Sequence, residues 1–389
     1  MQHSTTEQRL DGQHVVFLSW RDTANPEGGG AELYLEEIAQ GLVERGAEVT
    51  IFSAAHDRAP RNEVRSGIRF VRRGSKLSVY LRGMLGLALR RFGHVDVVVD
   101  VQNGLPFFSR LVTRRTVVVL VHHVHREQWP VVYPGRFGKV GWWIERTLAP
   151  RLYRNSQYVA VSRATRDELI ELGVEARRIA VVHNGTTPPP AVATTRSPAP
   201  TICVVGRLVP HKQVEHAIDA WAVLRNEVPG LRLVIVGDGW WADDLRAHAA
   251  KVDDGNAISF EGHVSETHKH EIYASSWVLA LPSLKEGWGL VIGEAGSHRT
   301  PCVAYSSAGG TRESIANGVS GLLVDSEEEF VRALRRVLTD EVTRERLADG
   351  ALEMSRRFTW EHAHGSFAQV LTRAMAGEHM NKQDPDEVV

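Results

Sequence analysis

Cysteine is almost absent from this 389-residue chain, with only Cys203 and Cys302 present, each inside an apolar run of strand type. Two isolated thiols in such runs predict buried free cysteines in a reducing compartment and exclude a disulfide framework. Long apolar runs are also missing, and none approaches the roughly 20 residues that a membrane span needs. Residues 1–13 are polar and have no apolar stretch of signal-peptide length, so the expectation is a cytoplasmic protein. An excess of either charge is missing as well. The formal net charge of -1 gives no overall pull toward nucleic acid or membrane, and no nucleic-acid partner is expected.

What is present is a 43% apolar chain long enough for two or three domains, with strand-like runs alternating with helical patterns. In the first half such runs start at His14, Val49, Ile68, Val95, Thr116, Tyr158 and Ile179. In the second they lie at Thr201, Leu231, Ile258, Trp277, Pro301 and Gly321. Helical segments separate most of them, which predicts parallel sheets wound with helices. A stretch rich in Pro, Ala, Thr and Ser, residues 188–200, reads as a linker between an N-terminal domain, 1–187, and a C-terminal one, 201–357. Residues 358–389 read as a last helix with a frayed tail.

The organising stretch is Pro282 to Ser297. It lies between two apolar strand-like runs and reads as strand, glycine loop and helix. Gly287 and Gly289 permit a tight turn, and a helix from about Leu290 carries Glu294 one turn in, while Glu286 sits in the loop. Helix-start amides favour a phosphate, and a carboxylate on each side is suited to hydroxyls of two sugars joined by a diphosphate. Arg207 and Lys212 leave the C-terminal end of the strand at Thr201, where open α/β sheets bind ligands. One bidentate cation and one point charge suit a leaving diphosphate; a solvated basic turn is the plainer alternative. Gly28 to Gly30 follow the first strand and open a helix, but lack the spacing of a dinucleotide fingerprint. His122, His123 and His125 follow the strand at Thr116. Alternation puts His123 and His125 on one face and His122 on the other, which disfavours a three-histidine metal site.

The segment Glu286-Gly-Trp-Gly-Leu-Val-Ile-Gly-Glu294-Ala resembles the signature of the retaining GT-B glycosyltransferases of family 4, with Trp288 where Phe is usual. The resemblance covers nearly the whole chain. It implies an α/β GT-B fold, two Rossmann-like domains with an interdomain cleft, the last helix crossing back onto the first domain. It implies a metal-independent hexosyltransferase with no cofactor, its donor a nucleotide sugar such as GDP-mannose or a UDP-sugar, and its acceptor a lipid, glycan or small molecule. The carry-over makes Arg207, Lys212, Glu286 and His125 the catalytic set, with His123 the alternate sugar contact. Gly29, Gly30, Gly237, His263, Gly287, Trp288, Gly289, Leu290 and Glu294 would bind the donor, and Asn184 would mark the hinge. A non-hydrolysing sugar-nucleotide epimerase and a non-catalytic nucleotide-sugar-binding protein are the alternatives.

One segment stands apart from the near-neutral whole. Between Arg65 and Arg91 lie eight basic residues and no acidic one. Helical spacing from Lys76 puts Leu77, Leu81, Met84, Leu85, Ala88 and Phe92 on one face and Lys76, Arg82, Arg90 and Arg91 on the other. The plain expectation is an apolar face packed on the sheet with charges in water; the sharper one is peripheral contact with an anionic membrane, at the inner face, through Arg65–Arg91.

Overall fold

A computed structural model describes residues 8–133, 135–253, 255 and 257–381. The chain divides into two compact units. The described residues up to Gly185, together with those from Trp360 on, form the first, and Thr186–Thr359 form the second.

The sheet of the first unit runs Asn62–Arg65, Ile68–Arg72, Glu48–Ser53, His14–Leu18, Val97–Gln102, Thr116–Val121, Gln157–Ala160 and Ile179–Val181 across its width. All neighbours are parallel except the first pair. That edge strand has no apolar alternation and was not expected from the sequence. It forms because Ser66 and Gly67 both take positive φ, 52° and 77°, making the two-residue turn that matches the twist of an antiparallel hairpin. The central strands are buried from end to end, the pattern of a parallel sheet covered on both faces. The last helix, Trp360–Met375, belongs to this unit: it packs on the helix Gly30–Glu44, where the His364 ring fills the place that a Cβ on Gly41 would take.

The second unit has a six-stranded parallel sheet in the order Ile258–Gly262, Arg232–Val236, Thr201–Val205, Val278–Leu281, Cys302–Tyr305 and Gly321–Val324. The strand Thr201–Val205 sits where the order reverses, so the loops leaving it and Val278–Leu281 diverge and leave room for a ligand at their C-terminal ends. Both cysteines are buried and free. The stretch 186–200 has no regular structure, and from Arg196 on it is fastened along this unit. The Arg196 guanidinium donates to the carbonyls of Ser276 and Arg299, and Trp277 Nε1 donates to the Ser197 carbonyl at 2.8 Å.

The basic segment does not pack as the plain expectation has it. The helix Ser78–Ala88 buries Val79, Gly83 and Gly86, while Leu77, Leu81, Leu85 and Leu89 are 79%, 60%, 45% and 58% exposed. The expected packing face is therefore the solvent face. The reason is steric: a Cβ at Gly83 would lie 2.7 Å from the Phe107 ring and one at Gly86 2.7 Å from Phe92, so the glycine side lets the helix sit close on those aromatics. Most of the basic residues are also taken up. Arg72 is fully buried, bonded to Asp22 at 2.5 Å and Glu63 at 2.8 Å. Arg65 pairs with Glu36, Lys76 with Glu27, Arg69 bonds Thr50, and Arg73 bonds Asn62. Arg82, Arg90 and Arg91 are exposed and make no ion pair among the described residues.

Candidate functional site

In the second unit the loops at the C-terminal strand ends are laced together by backbone hydrogen bonds. Gly206 N–H donates to Val236, Leu208 N–H to Asp238, and Gly237 N–H to Gly262. This brings the turn bearing Arg207 beside Gly237 and the Gly262-His263 corner. Gly237 has φ +123°, and a Cβ there would lie 1.9 Å from the Gly206 carbonyl oxygen, so only glycine allows this approach. Arg207 is half-buried and His263 exposed on these loops.

The short 3-10 turn Pro210–Lys212 ties the same group to the organising loop. Leu284 N–H donates to the His211 carbonyl, and Lys212 Nζ meets Glu286 Oε1 at 2.6 Å. Two of the four residues expected to carry the chemistry are thus in direct contact. Glu286 is held from the other side by the glycine turn at Gly309-Gly310: its N–H donates to Ala308, and Gly310 N–H donates back to its carbonyl. The helix then starts at Leu290 after Gly289, whose φ of +88° makes the turn, and ends after seven residues at Gly296.

Glu294 enters a different pair. It accepts from the Tyr273 hydroxyl at 2.9 Å and from Lys269 Nζ at 3.1 Å. Burial works against the Lys269 charge, but the carboxylates of Glu294 and Glu266 outweigh it and hold its pKa above the ordinary lysine value. Sequence reading missed Lys269 and Tyr273, because nothing in the pattern of the helix Glu266–Ser275 distinguishes them from other polar and apolar helix positions.

Trp288, grouped with the donor contacts from the sequence, has its side chain in the core. It is 5% exposed and meets Phe358 edge to face at 4.7 Å, and both line a small cavity with Ile292, Cys302 and Met354. Between two glycines the backbone turns this side chain inward, so only its peptide atoms remain on the loop, the carbonyl accepting from Ser314 Oγ at 2.9 Å.

In the first unit the loop before Gly29 and Gly30 is held by buried charge. Glu32 accepts from Arg21 Nε at 2.6 Å and from Gly29 N–H at 2.8 Å, and Asp22 accepts from Arg72, His56 and Ser53. Gly30 opens the helix that follows. Past the strand Thr116–Val121, His122 points into the core against Tyr34, where burial lowers its pKa to about 3 and keeps it neutral. His123 and His125 lie together, ring centroids 4.2 Å apart, with His123 Nε2 on Gln128 and His125 Nδ1 on Glu145. No group of three or more His, Cys, Asp or Glu among the described residues could hold a metal ion. Asn184 is buried next to the end of this unit, its Oδ1 without a hydrogen-bond partner among the described residues. No helix among the described residues is long and apolar enough to cross a membrane.

Two α/β units on largely parallel sheets, the second with a cation-carboxylate pair at its strand ends, define a protein of two Rossmann-like domains, and comparison makes the class specific. Residues 28–189 match the model of Glycosyltransferase Family 4 and residues 191–354 that of Glycosyl transferases group 1. A D-inositol 3-phosphate glycosyltransferase of Xylanimonas cellulosilytica is 30% identical over 90% of this chain and 92% of its own length. Sucrose-phosphate synthase from Thermosynechococcus elongatus superposes with a TM-score of 0.80 at 18% identity, covering 94% of this chain and 100% of that one. Anabaena HepE in complex with UDP-glucose does so at 0.73 and 20% identity, covering 92% and 99%. The chain belongs to the GT-B glycosyltransferases of family 4.

Proposed function

We propose that this glycosyltransferase moves a hexose from a nucleoside diphosphate to an acceptor hydroxyl with retention at the anomeric carbon and without a metal. The observation that carries the reading is the 2.6 Å contact of Lys212 with Glu286, which places a cation and a sugar-binding carboxylate together at the strand ends. Arg207 and Lys212 stabilise the departing diphosphate, Glu286 orients the sugar, Glu294 holds the ribose, and His125 contacts the transferring sugar. The bond from the anomeric carbon to the diphosphate oxygen breaks with its electron pair on that oxygen. The acceptor oxygen bonds the same face, and its proton passes to the departing phosphate. No separate general base is then required. Positioning and charge stabilisation supply the rate.

UDP- and GDP-hexoses are the donors to test first. The name of the 30% identical relative makes a polyol phosphate the first acceptor to try. In a panel of sugar nucleotides, the true donor raises the melting temperature, and product analysis by NMR shows an α-linked product from an α-linked donor. With that donor, Glu294→Gln raises KM while Glu286→Gln lowers kcat, since ribose is held throughout and the sugar reacts. An inverted product removes the retaining mechanism, a donor-only epimerisation removes the transferase, and equal kinetic profiles remove the split of roles.

The leucine stripe of the helix Ser78–Ala88 supports a lipid-surface acceptor. Leu77, Leu81, Leu85 and Leu89 recur every fourth residue on one exposed face, with Arg82, Arg90 and Arg91 beside them. An apolar stripe flanked by unpaired cations fits an anionic bilayer surface. Binding to vesicles containing phosphatidylserine should be reversed by salt and lost in a Leu81→Ser, Leu85→Ser variant; sedimentation that leaves the wild type in the supernatant at low ionic strength makes a soluble acceptor the better reading.

A further inference from the structure

The chain from His125 to Leu148 returns a buried carboxylate to the histidine pair. Glu145 is fully buried, on a single π-helical turn, Ile144–Leu148, that follows the helix Arg136–Trp143. Such a turn inserts a residue's worth of backbone and re-aims the side chains on it, which is why π-turns gather at functional sites. Here it aims one carboxylate at three donors. Oε1 accepts from the His125 backbone N–H at 3.1 Å and faces His125 Nδ1 at 3.2 Å, and Oε2 accepts from Trp129 Nε1 at 2.6 Å. Trp129 is itself clamped: Cβ atoms on Gly104 and Gly141 would lie 2.8 Å and 2.4 Å from its ring.

We propose that Glu145 is the positioning residue of His125, setting both its orientation and its tautomer. A carboxylate has no hydrogen to give, so Nδ1 carries the proton toward it. In the neutral ring Nε2 is then the lone-pair nitrogen, suited to accept from a sugar hydroxyl. The Nε2 of the neighbouring His123 meets the Gln128 side chain, whose amide can serve as donor or acceptor. The buried carboxylate thus prepares His125. The inference about catalysis rests on the proposed contact of His125 with the sugar; the inference about the tautomer does not.

Glu145→Gln tests it. Trp129 Nε1–H, the shortest of the three contacts, holds the amide oxygen at the Oε2 position, so the NH2 stands at Oε1 and faces Nδ1, which must then accept, and the proton moves to Nε2. Nitrogen-15 shifts of the His125 imidazole, assigned by comparison with His125→Ala, should report the Nδ1-H form in the wild type and the Nε2-H form in Glu145→Gln, with circular dichroism unchanged. Turnover should fall about 10-fold to 100-fold in kcat with donor KM little changed, and Glu145→Asp should recover part of it. Adding Glu145→Gln to His125→Ala should cost nothing more, as expected of residues acting as a unit. An unchanged tautomer, or additive losses in the double variant, overturns the positioning role. A switched tautomer with full turnover keeps that role and removes the sugar contact.

Discussion

Turnover falls by about 100-fold to 1000-fold when Arg207 or Lys212 is replaced by alanine, the usual cost of removing one group that stabilises developing charge. The diphosphate gains negative charge only as the glycosidic bond breaks, so the loss appears in kcat more than in KM. Lys212→Ala has a second consequence that Arg207→Ala does not share. It leaves Glu286 without the ammonium that meets it at 2.6 Å, so the carboxylate loses its placement and the sugar its orienting group. Lys212→Ala should therefore combine a kcat loss with a weaker response to Glu286→Gln in the double variant. Both positions lie on turns, so circular dichroism should be unchanged. Arg335→Ala, which breaks an exposed pair with Glu227, is the charge control and should leave turnover intact. Near-wild-type rates in either loop variant would remove the diphosphate assignment.

The largest stability effect is expected in the first unit, at Arg72→Met. Arg72 and Asp22 are both fully buried, and removing the cation leaves the Asp22 carboxylate to Ser53, His56 and the Asn25 backbone N–H. Breaking one partner of a buried pair costs about 3–5 kcal/mol, because the remaining charge is uncompensated. Glu63 would also lose its contact at 2.8 Å, and with it a tie to the edge strand Asn62–Arg65. Calorimetry should show a lower first transition, and Arg72→Met with Asp22→Asn should recover part of the loss, since the double change removes both charges. A single variant as stable as the wild type would show that the buried pair does not hold this unit together. The same burial explains why Arg72 is no part of a membrane-facing surface, although the run of basic residues in the sequence includes it.

The chain's alternation of apolar runs with helical patterns was enough to lay out two parallel α/β units, because buried strands and helix faces write their periods locally. The local spacing of Glu286 and Glu294 around Gly287 and Gly289, and of Arg207 and Lys212 after an apolar strand, likewise brought out the second-unit residues by neighbours in sequence alone. Contacts between distant segments were not legible. Lys269 and Tyr273 meet Glu294 across 25 and 21 positions, and Glu145 meets His125 across 20, with no residue pattern that pairs them. The edge strand Asn62–Arg65 shows no alternation because none of its four residues is buried, Val64 being 72% exposed. The helix Ser78–Ala88 is the clearest case. Its leucines define an apolar face by period, but periodicity says only that a face exists. Which side is buried was decided by shape, because Gly83 and Gly86 fit against Phe107 and Phe92 where leucines could not, and that fit exists only once the sheet and its loops are in place.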